Sequence, residues 1–89
     1  MDYLSITDTD IEKVHKTIAL NVKKIRKEKN INQLELALTI GHKSMSTIGK
    51  IEAGLEKKHY NIEQLFKISK ALEVPICNFF MDVDIPLTT

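Results

Sequence analysis

The stretch from Gln33 to Gly54 reads QLELALTIGHKSMSTIGKIEAG. Gly41 divides it and Gly54 closes it. Asn32, immediately before it, offers a side-chain oxygen to the free amides that open a helix. Gln33 to Ile40 then reads as a short helix stopped by Gly41, a residue suited to the left-handed conformation that ends helices. Ser44 offers a second cap, and Met45 to Ala53 reads as another short helix, stopped by Gly54. Leu36, Ile40, Ile48 and Ile51 supply apolar contacts for the inner faces. Ala37 is small enough to let the second helix cross the first closely. The outward face of the second helix shows Met45, Ser46, Gly49, Lys50 and Ala53.

Working outward, Ile11, Val14, Ile18, Val22 and Ile25 step by three and four, which makes one face of a helix over about 10–29. Acids near its start and lysines near its end complement the helix dipole. Downstream, 55–60 is a polar loop. Asn61-Ile62-Glu63-Gln64 places a cap three residues before a glutamine and opens a helix to about Leu72. Its inner face holds Leu65, Ile68, Ser69 and Leu72. Val74-Pro75 ends that run, and Ile76 to Met81 reads as a short last helix. The expectation is an all-α, five-helix domain over 10–81, with an N-terminal arm 1–9 and a C-terminal tail 82–89. Two short helices joined by a glycine turn at its centre have the shape of a helix-turn-helix.

Composition agrees with one ordinary globular domain: 89 residues, 43% apolar and 28% charged. A single cysteine, Cys77, excludes an intrachain disulfide and fits a reducing, cytoplasmic setting. No apolar run approaches the roughly 20 residues that span a bilayer, so no membrane partner is expected. The acidic N-terminus lacks the basic start of a secretory signal. The net charge of +1 conceals a pattern. Residues 1–12 hold four acids and no base, and residues 71–89 hold three acids and no base. All 13 bases lie between 13 and 70 among five acids, a central charge of +8. Such a centre is the electrostatic footprint of a polyanion partner, or a solvated lysine-rich face.

These residues resemble the helix-turn-helix family of Cro and the phage repressors, also called the XRE family. The resemblance runs from about Ile18 to Phe80. It rests on Val22 to Lys29, Asn32-Gln33 with Leu36-Ala37 and Gly41, Ser46-Thr47-Ile48, Ile51-Glu52 with Gly54, Leu65 to Leu72, and Val74. Each fragment is weak alone; their order and spacing are not. Three departures stand out. His42 and Lys43 occupy a turn where the common pattern has one apolar residue. Gly49 lies inside the second helix of the motif. Leu34 and Leu38 replace residues that are usually polar.

The resemblance implies a repressor-like, sequence-specific regulator that binds double-stranded DNA as a homodimer at an operator with two half-sites. It is similar also to antitoxins and to the small controller proteins of restriction–modification systems. It implies a structural ion pair between Arg26, the sole arginine, and Glu52. It implies a phosphate contact by Gln33 at the start of the motif's first helix, against the alternative of a capping glutamine. Met45, Ser46, Gly49 and Lys50 face outward on the helix that would enter a major groove. Lys43 and Ser44 lie in the turn before it, and Lys57, Lys58 and Tyr60 flank it as phosphate candidates. Ile76, Phe79 and Phe80 crowd the last helix and are the expected dimer contacts, with Phe79 also the choice for sealing the core.

A different class of function stays open. Leu20, Leu34 and Leu38 fall off the expected core faces, as in a protein-interaction module of the antitoxin kind whose DNA binding is autoregulatory. His15, His42, His59 and Cys77 show no metal-ligand spacing, so neither metal nor cofactor is expected. No nucleophile, base and orienting group assemble, and phosphate-binding glycine motifs are missing, so an enzyme is not expected.

Overall fold

Among the described residues, three of the four α-helices begin on the same local device. Thr7, Asn32 and Asn61 each accept a hydrogen bond from the backbone three residues on, and Asp10, Glu35 and Gln64 reach back to the cap's own amide. These caps open α1 (Asp8–Glu28), α2 (Gln33–Thr39) and α4 (Ile62–Leu72). The remaining α3 (Ser46–Ala53) starts at Met45, which has no side-chain acceptor. The computed structural model describes residues 5–83, and no strand occurs among them.

All four helices end alike. Asn30, Gly41, Gly54 and Glu73 take positive φ values of 60°, 85°, 71° and 57°. The next residue's amide then reaches five residues back: Ile31 to Arg26, His42 to Ala37, Leu55 to Lys50 and Val74 to Ser69, at 2.8–3.0 Å. At Gly41 and Gly54 this backbone has no Cβ to strain it.

The inner faces meet in one core. Val22, Leu36, Ile48, Leu65, Ile68 and Phe79 are essentially inaccessible, each worth about 1.5–3 kcal/mol of apolar burial. α2 crosses α3, α1 lies against α3, and α4 packs on α2.

Several boundaries differ from those the sequence suggests. α1 begins at Asp8, because Thr7 rather than a later residue caps it, so Asp8 and Thr9 are helix and not arm. α3 begins one residue late, at Ser46. Among the described residues there are four α-helices, not five. Ile76–Phe80 is a single stretch of 3-10 helix. Pro75 contributes no amide, and the turn closes by Asn78 donating to the Pro75 carbonyl at 3.0 Å. Asn21 of α1 then donates to the carbonyls of Phe79 and Met81 at 2.9 and 2.8 Å, which satisfies them without a further helical turn. Residues 1–4 of the arm and 84–89 of the tail lie outside the described residues.

Candidate nucleic-acid interface

The orientation of α3 is set by one polar network that joins three helices. Arg26 of α1 donates through Nε to Glu52 Oε2 at 2.7 Å and through Nη2 to Oε1 at 2.8 Å. Its Nη1 donates to the Ile31 carbonyl at 3.0 Å. Gln33, the first residue of α2, donates from Nε2 to Glu52 Oε1 at 2.9 Å. The two charged side chains are only 8% and 3% exposed. Burial pushes the Glu52 carboxyl up, but the hydrogen bonds from Arg26 and Gln33 and the charge of Arg26 outweigh it. The group is held below the usual carboxylate range. The fork of the guanidinium matches the carboxylate's two oxygens, so the pair fixes angle as well as distance.

With α3 locked from behind by Ile48, Ile51 and Glu52, its other side faces solvent. Met45 is 53% exposed, and Ser46 is exposed beside it. Ser44 Oγ lies 3.1 Å from Ser46 Oγ and a long 3.4 Å from the Ser46 amide. Gly49 sits where α3 passes the start of α2; a Cβ there would meet Gln33 Oε1 at 3.9 Å, an ordinary contact. The protein itself therefore does not require a glycine at 49. A family model of the helix-turn-helix matches residues 22–79, most of the chain and all of this unit.

The chain belongs to the Cro and phage-repressor type of helix-turn-helix family. That family comprises DNA-binding regulators. Comparison with curated proteins and with solved structures gives no match.

Within this helix-turn-helix protein, the residues singled out by sequence fall into three groups. Lys43, Ser44, Met45, Ser46, Gly49 and Lys50 lie on the turn and outer side of α3, and Lys57 and Lys58 are exposed on the loop that follows. Lys43, Lys57 and Lys58 have no ion-pair partner among the described residues, whereas Lys50 Nζ is 3.0 Å from Glu56 Oε2. Gln33 stands at the edge of this surface with one amide hydrogen committed to Glu52 and a second available.

Tyr60 does not belong to the surface. It is 6% exposed in the core, and its buried hydroxyl has no hydrogen-bond partner among the described residues. Burial drives that hydroxyl's pKa well above its ordinary value. The ring's apolar area outweighs the cost of an unpaired hydroxyl, about 1–3 kcal/mol. Phe79 is likewise fully buried and unavailable to a second copy, while Ile76 is half-buried and Phe80 is 37% exposed.

The contacts of four residues near the site escaped the sequence. His15 of α1 and His59 of the loop stack face to face, ring centroids 3.7 Å apart and planes within 3°. Glu12 pairs with His59 Nε2 at 3.0 Å. These contacts tie the lysine-bearing loop to α1. The groove between them, about 310 Å³, is bordered by Lys13, Lys16, Lys57 and Lys58. Glu56 is the fourth, brought back to Lys50 by the turn at Gly54. Among the described residues no group of three acids, histidines or cysteines is placed to hold a metal ion, and no helix is long and apolar enough to cross a membrane.

Proposed function

We propose that this chain is a sequence-specific regulator of transcription that binds an operator in double-stranded DNA as a homodimer. The observation that carries the proposal is α3 itself. It is braced on its inner side by the Arg26–Glu52–Gln33 network and presents Met45, Ser46, Gly49 and Lys50 to solvent, between Lys43 and the neighbouring Lys57 and Lys58. Ser46, Met45 and Lys50 read base edges, and Gly49 permits close approach of the backbone to DNA. Lys43, Ser44, Lys57, Lys58 and the free amide hydrogen of Gln33 hold phosphates.

One α3 per protomer offers too little contact for a specific operator. Two copies related by a two-fold axis place the helices about 34–36 Å apart, one turn of B-DNA. Ile76 and Phe80 are the proposed partner contacts, with Ile62, Phe66 and Met81, all at least 52% exposed, as neighbours on the same segment. The central charge of +8 supports steering to a polyanion.

The test is selection of bound duplexes from a random library, followed by a salt titration of the best one. If the dimer neutralises about 6–10 phosphates, affinity falls roughly 10³–10⁵-fold between 50 and 200 mM salt. Binding that is flat in salt, or no enrichment of any duplex, overturns the proposal.

A second reading has its own observation. Leu20, Leu34 and Leu38 are 52%, 43% and 58% exposed, on faces of α1 and α2 that point away from the core. An apolar surface of that kind suits a protein partner, with DNA binding serving autoregulation, as in an antitoxin. A gene for such a partner beside this one, and co-purification that fails after Leu34→Glu and Leu38→Glu, would favour it.

A further inference from the structure

The loop after α3 carries an acid where a DNA-reading surface gains least from one. Glu56 sits at φ 55° and Lys57 at φ 50°, two consecutive non-glycine residues in the left-handed region. This backbone follows from the end of α3. Gly54 turns the chain at φ 71°, Leu55 donates back to the Lys50 carbonyl at 2.9 Å, and Lys58 donates to the Leu55 carbonyl at 3.1 Å. The result returns Glu56 to the turn of α3 that bears Lys50, with Glu56 Oε2 3.0 Å from Lys50 Nζ. Both side chains stay open to solvent, 40% exposed for Lys50 and 55% for Glu56. Lys50 is the one lysine of the proposed interface so held; Lys43, Lys57 and Lys58 have no ion-pair partner among the described residues.

We infer that Glu56 is a specificity-determining residue that keeps Lys50 from acting as a phosphate contact. The inference rests on the proposed DNA-binding function. An unpaired lysine on a flexible stem is drawn to the nearest phosphate of any sequence. Paired with Glu56, Lys50 brings no net charge to the duplex, and a phosphate that captures it leaves the carboxylate beside the DNA backbone, where it is repelled. The ammonium has three donors. It keeps one on Glu56 and turns the others to acceptor atoms on a base edge, which are uncharged and do not repel the carboxylate. Glu56 thus lowers binding to random sequence more than binding to the operator, the repulsive half of specificity.

The experiment compares wild type, Glu56→Gln, Lys50→Gln and the double variant. The probes are the duplex that the wild type selects from a random library and a scrambled duplex of the same length. Folding of each variant is verified by circular dichroism. Glu56→Gln frees one charge per protomer. Binding to scrambled duplex is expected to rise roughly fivefold to tenfold near 0.1 M salt, with the slope of log K on log salt steeper by about 0.9 per protomer. Binding to the selected duplex rises less, so the ratio between the two falls. In the Lys50→Gln background the Glu56→Gln substitution changes the slope by less than half as much. A wild-type-like slope and ratio in Glu56→Gln overturns the inference while leaving DNA binding intact. So does an equal effect with Lys50 removed, which would mark Glu56 as a general repulsive charge. If the wild type selects no duplex at all, the proposed function itself fails, and the inference with it.

Discussion

At the scale of single residues, Glu52 and Gly49 show how differently two positions of one short helix are constrained. Glu52 receives three hydrogen bonds from two other helices and is almost fully enclosed. Glu52→Ala leaves Arg26 buried without its partner, and the expected loss is about 3–5 kcal/mol, a large part of a small domain's stability. Urea unfolding measures it; a loss below about 1 kcal/mol would mean that the network is not what orients α3. The carboxyl is held below its ordinary value of 4.5. Its contribution is therefore complete above that value and is lost as pH falls through the lower folded one. Gly49 has the opposite character. It is helical, and its missing Cβ would meet only ordinary contact. Gly49→Ala is expected to raise stability by up to about 1 kcal/mol. If the glycine serves approach to DNA, the same variant binds its selected duplex more weakly while melting higher. Unchanged binding would assign the glycine no part in recognition.

At the scale of elements, the helix ends are local and self-sufficient, except at the start of α3. There the turn Gly41–Met45 supplies no side-chain cap, and α3 is held by its packing on α2 and by the Glu52 network. The loop after α3 is secured differently, by the His15–His59 stack against α1 and by Glu12. Burial, and then the neighbouring His59, keep the His15 pKa below its ordinary value of 6.5, against the opposing pull of Glu12. A lowered folded value favours the neutral ring. The contact's stability is present above the ordinary value and is lost as pH falls through the folded one. Melting temperatures taken at about pH 7.5 and about pH 5.5 should fall further for the wild type than for His15→Gln. Equal falls would show that the stack does not couple the loop to protonation.

At the scale of the molecule, the question is which side a second copy covers. The side-chain amide of Asn21 fastens the 3-10 turn to α1, so Phe79 enters the core and Phe80 is left 37% exposed. Phe80→Asp removes apolar surface without touching the core, and the expected product is a folded monomer with much weaker binding to a selected duplex. Sedimentation at roughly 10–50 micromolar decides it, since dimer population depends on concentration. A wild type that is already monomeric, or a variant that is still dimeric, rules out an interface through Phe80.

The sequence by itself determined what neighbouring residues settle among themselves. Asn32 with Glu35, and Asn61 with Gln64, are cap chemistry at a spacing of three, and Gly41 and Gly54 are stops that need no partner elsewhere. The apolar steps of α4 gave its buried face, with Leu65, Ile68, Ser69 and Leu72 all enclosed; those of α1 gave the buried Ile18 and Val22, while Ile11 is 48% exposed. Together they made the helix-turn-helix legible, and the resemblance to its family implied the pairing of Arg26 with Glu52. Tertiary structure alone decided the rest. Tyr60 turns into the core, although it ends a loop that reads as polar. His59 meets Glu12 across 47 positions and Asn21 meets Phe79 across 58, separations that no local pattern encodes. Lys50 meets Glu56 only because the chain reverses at Gly54. Caps and periodicity act over one turn of helix, so a sequence displays them directly. Which aromatic fills the core, and which acid faces which base, depends on where distant turns come to rest, and that is fixed only when the helices pack.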